Sequence, residues 1–144
     1  MSDLKLVKGD WQRLMHDAKF VREQVFIMEQ NISVEEEWDQ HDPLSTHFVI
    51  YDQKQPIATA RLLNDGHIGR VAVLKAYRGY GIGKLIMQYI IGYAEQQQRS
   101  ELILSAQVHA IPFYDALGFS VVGESYLDCG IPHVDMSMRL RSEA

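Results

Sequence analysis

At 144 residues and 16.5 kDa the chain has the length of one domain, enough to bury roughly 68–70% of its unfolded surface without crosslinks. Fourteen Lys and Arg against 19 Asp and Glu leave a net charge of −5, with 47% apolar and 23% charged residues, a globular composition that argues against a nucleic-acid partner. The single cysteine, Cys129, excludes an intrachain disulfide and a multi-cysteine metal site; no apolar run nears the ~20 residues of a membrane span; and the first residues carry no basic-then-apolar leader, so a cytoplasmic location without a membrane partner is expected.

Residues 4–7 are a short strand candidate ended by Gly9. Asp10 is placed to cap a helix running to about Gln30, whose apolar residues Leu14, Ala18, Val21, Val25 and Met28 step by three or four along one face. Residues 31–43 are polar, acidic and irregular, with room for one short helical turn. Thr46–Asp52 sets Phe48 and Ile50 against His47, Val49 and Tyr51, residues 56–64 form a second strand, and Asn64-Asp65-Gly66 is a hairpin turn into a third strand at 67–74. Residues 46–74 therefore read as an antiparallel meander.

The period then changes. Ile82, Leu85, Ile86, Tyr89, Ile90 and Tyr93 recur at the spacing of one helical face. Residues 101–106 are a short strand whose Leu102, Ile103 and Leu104 suit burial on both faces, so 67–106 read as a parallel strand–helix–strand unit. A helix at about 111–117 has Pro112 in its first turn and Gly118 at its end, a strand follows at 119–124, and Val134, Met136, Met138 and Leu140 alternate with polar residues in a half-buried last strand. Without repeats or linkers, residues 1–144 read as one α+β domain with a mixed sheet.

Charge is segregated along this order. From Glu23 to Asp42 there are seven acids and no Lys or Arg; from Gly66 to Ala94 there are four bases and no acid. The runs are either two solvated faces or two sites, one for an anion and one for a cation. The basic run surrounds Arg78-Gly79-Tyr80-Gly81-Ile82-Gly83-Lys84, between a strand and a helix. Three glycines at a helix start let a ligand approach backbone N–H groups, and the helix N-terminus adds partial positive charge, which together make a phosphate cradle. A flexible strand-to-helix connection is the plainer alternative. A Walker loop is excluded because Leu85 follows Lys84, and a dinucleotide fingerprint because the next strand ends Ser105-Ala106-Gln107 with no acid.

Arg78-x-x-Gly81-x-Gly83 resembles the Q/R-x-x-G-x-G/A motif of the GCN5-related N-acetyltransferase (GNAT) superfamily, and Phe113-Tyr114 with Gly118-Phe119 resembles its later "FY…GF" segment. Residues 21–30 and Gly130-Ile131-Pro132-His133 resemble a bacterial branch of small members. The resemblance covers nearly the whole chain. It implies a GNAT-like acyl-CoA N-acyltransferase fold, a mixed, mostly antiparallel sheet with helices on both faces, and transfer of an acetyl group from acetyl-CoA to a primary amine without a metal. It places the pyrophosphate on the backbone of Arg78, Gly79, Tyr80, Gly81, Ile82, Gly83 and Lys84, and the pantetheine along Val71, Ala72 and Val73, with Gln107 at the position where many relatives have Asn. It puts an oxyanion donor near Val73 and makes Tyr114 the hydrogen-bond donor to the leaving thiolate.

A proton must also leave the attacking ammonium. Candidates are His133, His109, His47 and a carboxylate among Glu35, Glu36 and Glu37; His133 leads because Gly130-Ile131-Pro132 fixes its approach to the last strand. Glu35, Glu36, Glu37 and Trp38 are the candidate acceptor wall, where carboxylates would attract a cationic amine. Cys129 reads as an inert small residue rather than an acyl-accepting nucleophile. Competing readings are an acyl-CoA sensor or partner-binding module, phosphate binding without catalysis, and an amino sugar or protein amine as acceptor. A homodimer through an edge strand is a further expectation.

Overall fold

The computed structural model describes residues 3–32 and 39–140. Strand β1 (Leu4–Gly9) leads into helix α1 (Trp11–Arg22), whose Asp10 cap accepts from the Arg13 N–H at 2.9 Å. The expected single α-helix to Gln30 is corrected: after Arg22 the chain widens into a π-helix at Glu23–Glu29, a geometry often found at functional sites. A single turn at Asp42–Leu44 precedes the meander of β2 (Thr46–Asp52), β3 (Gln55–Leu62) and β4 (His67–Val73). Helix α2 (Ile82–Gln96), β5 (Glu101–Gln107), the short α3 (Ile111–Ala116), β6 (Ser120–Asp128) and β7 (Ile131–Arg139) follow.

The seven strands form one sheet in the order β1-β2-β3-β4-β5-β7-β6, and only the β4–β5 pair is parallel. Helices cover both faces, as the resemblance implied. On one face α2 buries Ile82, Ile86, Met87, Ile90 and Ala94 against Phe48, Ile50, Leu102, Leu104 and Met136. On the other, Leu14 and Ala18 of α1 pack on Val49, while Val21, Val25 and Phe26 pack on Ala72. The α2 face is one step rotated from the expected stripe: Leu85 and Tyr89 are exposed, and Met87 and Ala94 take their place in the core. The strand β2 is buried on both faces rather than one, because a helix lies on each side of it. In β5 Leu102, Leu104 and Ala106 are fully buried on one face, while Ile103 is only partly buried on the other.

The segment Gly130-Ile131-Pro132-His133 is the turn and start of β7 itself, not an approach to it. Pro132 is tolerated there because β5 ends opposite His133, so no neighbouring strand on that side asks Pro132 for an N–H.

The feature that shapes the site is a splay. The strand β4 pairs with β3 along its length, but with β5 only at His67↔Ile103 and Ile68↔Leu104. Its register against β3 slips between Thr59 and Arg61, where Arg70 adopts a left-handed φ of 52°. The extra residue bends and twists β4. Beyond Ile68 the two parallel strands therefore part, leaving one edge of residues 69–73 without a strand partner.

Candidate active site

Strand β4 runs through one turn at Lys75–Tyr77 and the glycine loop into α2. Gly79 and Gly81 sit at φ of 88° and 79°, values that L side chains rarely adopt. Gly81 caps α2 without any side-chain hydrogen bond, and the first helical bond is Leu85 N–H to the Gly81 carbonyl. The N–H groups of Ile82, Gly83 and Lys84 thus keep their donors at the positive end of the helix. At Gly83 a Cβ would come within 3.3 Å of the Phe113 ring, so glycine there keeps α3 close to α2.

A cavity of about 800 Å³ fills the splay and reaches the loop. Its wall includes Val71, Ala72, Val73, Arg78, Gly79, Gly81, Ile82, Gly83, Lys84, Gln107, Tyr114 and His133, which is most of what the sequence nominated. Tyr80 is 65% exposed and is not part of the wall. Glu35, Glu36, Glu37 and Trp38 lie outside the described residues. Phe26 of the π-helix, which by sequence suited core or pocket wall equally, lines it, and so do residues not singled out for the site: Gln30 and Ile32 just after the π-helix, Arg70 in the bulge, Ser105 on β5 and Asp128 at the end of β6. Gln30 accepts from the Gln107 side chain at 3.0 Å and so joins the π-helix to β5 across the opening.

Of the bases around the glycines, Arg78 is already paired. The Arg78 guanidinium donates to both carboxylate oxygens of Glu29 at 2.7 Å, and its Nε donates to the Val73 carbonyl at 3.0 Å. Arg78 in turn holds the Glu29 carboxyl below its ordinary value. Other acids of the same run are also committed. Asp42 is buried and accepts from Arg22 (2.8 and 3.0 Å) and Arg61 (2.9 Å), while Asp39 accepts from Arg61 and, at 3.2 Å, from Arg70. Burial pushes Asp39 up, but the Arg61 hydrogen bonds and the charges of Arg61 and Arg70 outweigh it and hold it at about 2. This part of the acidic run is therefore neither a solvated face nor a cation site; it is half of a set of ion pairs that pins the π-helix, the Asp42–Leu44 turn and the β4 bulge together.

The ring of Tyr114 packs edge-on against Phe113 and Phe119 at centroid distances of 5.0 and 6.1 Å. Burial pushes its phenol up to about 12, and its hydroxyl has no hydrogen-bond partner among the described residues. The histidines separate. His47 is buried, its Nε2 lies 2.8 Å from the Asp42 carbonyl, it packs on Trp11, and burial lowers its pKa; it is not on the cavity wall, so it leaves the list of bases. His109 and His133 both line the cavity. The Nδ1 of His133 is 2.7 Å from the Ile131 carbonyl, which only accepts, so Nδ1 carries the proton and Nε2 keeps its lone pair. Cys129 lies in the exposed turn between β6 and β7 at the cavity rim. Among the described residues no group of three or more His, Cys, Asp or Glu is arranged to hold a metal, and no helix is long and apolar enough to cross a membrane.

Comparison with known proteins agrees with this geometry. Residues 16–140 match the family model described as acetyltransferase (GNAT) domain. The chain is 39% identical over 137 residues to the uncharacterised N-acetyltransferase YjcF of Bacillus subtilis, covering 92% of this chain and 98% of the relative. An acyl-CoA N-acyltransferase from Pseudomonas aeruginosa superposes with a TM-score of 0.85 at 30% identity, covering 94% of this chain and 99% of that one. A chain from Lactobacillus plantarum superposes with a TM-score of 0.88 at 29% identity, covering 96% and 99%. With the GNAT family model matched along most of its length, and with similar proteins named N-acetyltransferase and acyl-CoA N-acyltransferase, the chain belongs to the GNAT family and is an acyltransferase.

Proposed function

We propose that this acyltransferase moves an acetyl group from acetyl-CoA to a primary amine of a small molecule by direct attack. The observation that carries the reading is the unpaired edge of residues 69–73 leading straight into the glycine loop. These residues fit an acyl-CoA on three counts. The strand edge offers backbone groups to the amides of a pantetheine arm, as an added strand would. The donors of Ile82, Gly83 and Lys84 and the Lys84 charge suit a pyrophosphate. The cavity of about 800 Å³ is large enough for the arm and a small acceptor.

When bound, the acyl-CoA supplies a thioester carbonyl. A backbone N–H near Val73 is the candidate donor to the developing oxyanion. Arg78 steadies this stretch from behind, through the Val73 carbonyl. Tyr114 lines the cavity with an unpartnered hydroxyl, suited to donate to the departing sulfur. A phenol at about 12 is roughly 3.5 pKa units above a thiol, so Tyr114 acts by hydrogen bonding and not by giving up its proton. His133 Nε2 takes the proton from the attacking amine. A cationic acceptor finds Asp128 on the wall, while the described acids of the 23–42 run are held by arginines.

The test is thiol release from acetyl-CoA across a panel of amines, beside calorimetric titration of acetyl-CoA with Gly81→Asp as the control. Amine-dependent release is expected. Binding without release for any amine would favour the sensor alternative, and no binding by the wild type would remove the co-substrate assignment. The homodimer keeps one support: β6 is one of the two edge strands, exposed throughout, and carries Val121, Val122 and Leu127 at 47, 54 and 72% exposure.

A further inference from the structure

The face of β5, β7 and β6 that points away from α2 carries a hydrogen-bonded trio. Leu102, Leu104 and Ala106 of β5, and Val134 and Met136 of β7, point into the α2 core. Ser105 and Asp135, direct cross-strand partners, therefore lie on the opposite face, and both are exposed. Tyr126 reaches them from β6. The register between β6 and β7 slips between Val122 and Tyr126, with Gly123 at a φ of 80°, and this places Tyr126 opposite His133 where an unbroken ladder would put Glu124. The ring of Tyr126 stacks on His133 at 6.3 Å, and its hydroxyl meets the Asp135 carboxylate at 2.6 Å and the Ser105 hydroxyl.

The direction of these bonds is forced. A carboxylate only accepts, so the single phenolic proton goes to Asp135. Ser105 must then donate to Tyr126. Both hydroxyl protons are used, and what remains outward is the Ser105 lone pairs and the second Asp135 oxygen. The trio presents acceptors only, with one negative charge, and matches an N–H donor carrying positive charge.

Its position says which part of an acceptor it would meet. Ser105 lines the cavity and is the first β5 residue beyond the last β4 pair, Ile68↔Leu104. Ser105 is level with Gly69, so the transfer end, at residues 71–73, lies two to four residues farther along β4, roughly 7–13 Å at ~3.3 Å per residue. Ser105 is the trio's residue on the cavity wall, with Tyr126 and Asp135 behind it; set back along the splay from the thioester, the trio suits the far end of the same molecule. Arg70, across the opening, is engaged by Asp39.

We infer that Ser105, Tyr126 and Asp135 form a subsite for a second, non-reacting cationic group of the acceptor, which makes the substrate class a diamine; this rests on the amine-transfer reading above. The experiment compares α,ω-diaminoalkanes, from 1,4-diaminobutane to 1,8-diaminooctane, with monoamines of equal length. It uses both thiol release and calorimetric titration of the amine into the protein. The best diamine should show kcat/KM about tenfold above its monoamine, the scale of one charge-assisted hydrogen bond. Asp135→Asn should raise KM for that diamine about tenfold, leave kcat within about twofold, leave the monoamine unchanged and remove the diamine binding heat. Tyr126→Phe, which keeps the ring on His133, should produce part of the same KM change. Diamine and monoamine responding equally to Asp135→Asn, or no diamine binding heat with the wild type, would overturn the subsite. If no amine of either kind is acetylated while the diamine still binds through Asp135, the transfer reading falls and the subsite stands.

Discussion

Arg78 and Glu29, 49 residues apart in sequence, form a two-pronged ion pair with both bonds at 2.7 Å, and the same guanidinium holds the Val73 carbonyl. The basic residue that opens the glycine motif therefore does not face a phosphate with its side chain. It links the π-helix to the end of β4. Both partners are well exposed, so the pair adds at most about 1 kcal/mol to stability. Its weight lies in geometry.

The first prediction follows from that geometry. Glu29→Gln, which removes no base from the loop, should lower kcat by roughly threefold to tenfold, because a shift of an ångström at a reacting centre is costly. Arg78→Lys should fail to restore an Arg78→Ala loss, since a lysine lacks the planar fork that spans Glu29 and Val73. Steady-state kinetics with acetyl-CoA varied decides the matter. A side chain acting on phosphate would instead show rescue by lysine and a KM effect confined to acetyl-CoA.

Tyr114→Phe removes one hydroxyl and keeps the ring contacts with Phe113 and Phe119. We expect kcat to fall about tenfold to a hundredfold with KM for acetyl-CoA nearly constant, as for loss of a donor made only in the transition state. Because burial holds the phenol at about 12, its ionisation should leave no mark on the pH profile at or below about pH 10. An unchanged kcat in the variant would end the role.

His133→Gln keeps a polar side chain but removes the Nε2 lone pair. The kcat/KM for the amine should drop about a hundredfold. An unchanged rate in this variant, with the drop seen instead in His109→Gln, would transfer the base to His109, the other histidine on the cavity wall.

Stability toward acid should depend on the arginine–aspartate network. The folded-state pKa of Asp39 is depressed from 3.8 to about 2, so its stabilisation is present above the ordinary carboxylate value and is lost as pH falls toward 2. That amounts to about 2 kcal/mol between pH 5 and pH 2. Asp39→Asn should flatten the acid side of the Tm-against-pH curve. Asp42→Asn removes the charge of a buried carboxylate that pairs with both Arg22 and Arg61 and should cost about 3–5 kcal/mol near neutral pH, read by denaturant unfolding.

The features legible along the chain are local ones. The Asp10 cap, the meander, the glycine loop and the short helix at Pro112 are legible because turn chemistry and side-chain period act over a few residues. The parts of the cavity wall at residues 71–73, 78–79 and 81–84, with Tyr114 and His133, followed from motifs of that range. The widening of α1 into a π-helix was not legible, since the apolar spacing of Val21, Val25 and Met28 suits an α-helix as well. The sequence also displayed two charge runs without saying what they do. Only the tertiary structure decided that, by bringing Glu29 to Arg78, Asp39 to Arg61 and Arg70, and Asp42 to Arg22. The same holds for the splay, which depends on a bulge in β4 against β3, and for the trio of Ser105, Tyr126 and Asp135, drawn from three strands. Coulomb and hydrogen-bond partners are chosen by distance in space, and distance in space is set by register and packing rather than by order along the chain.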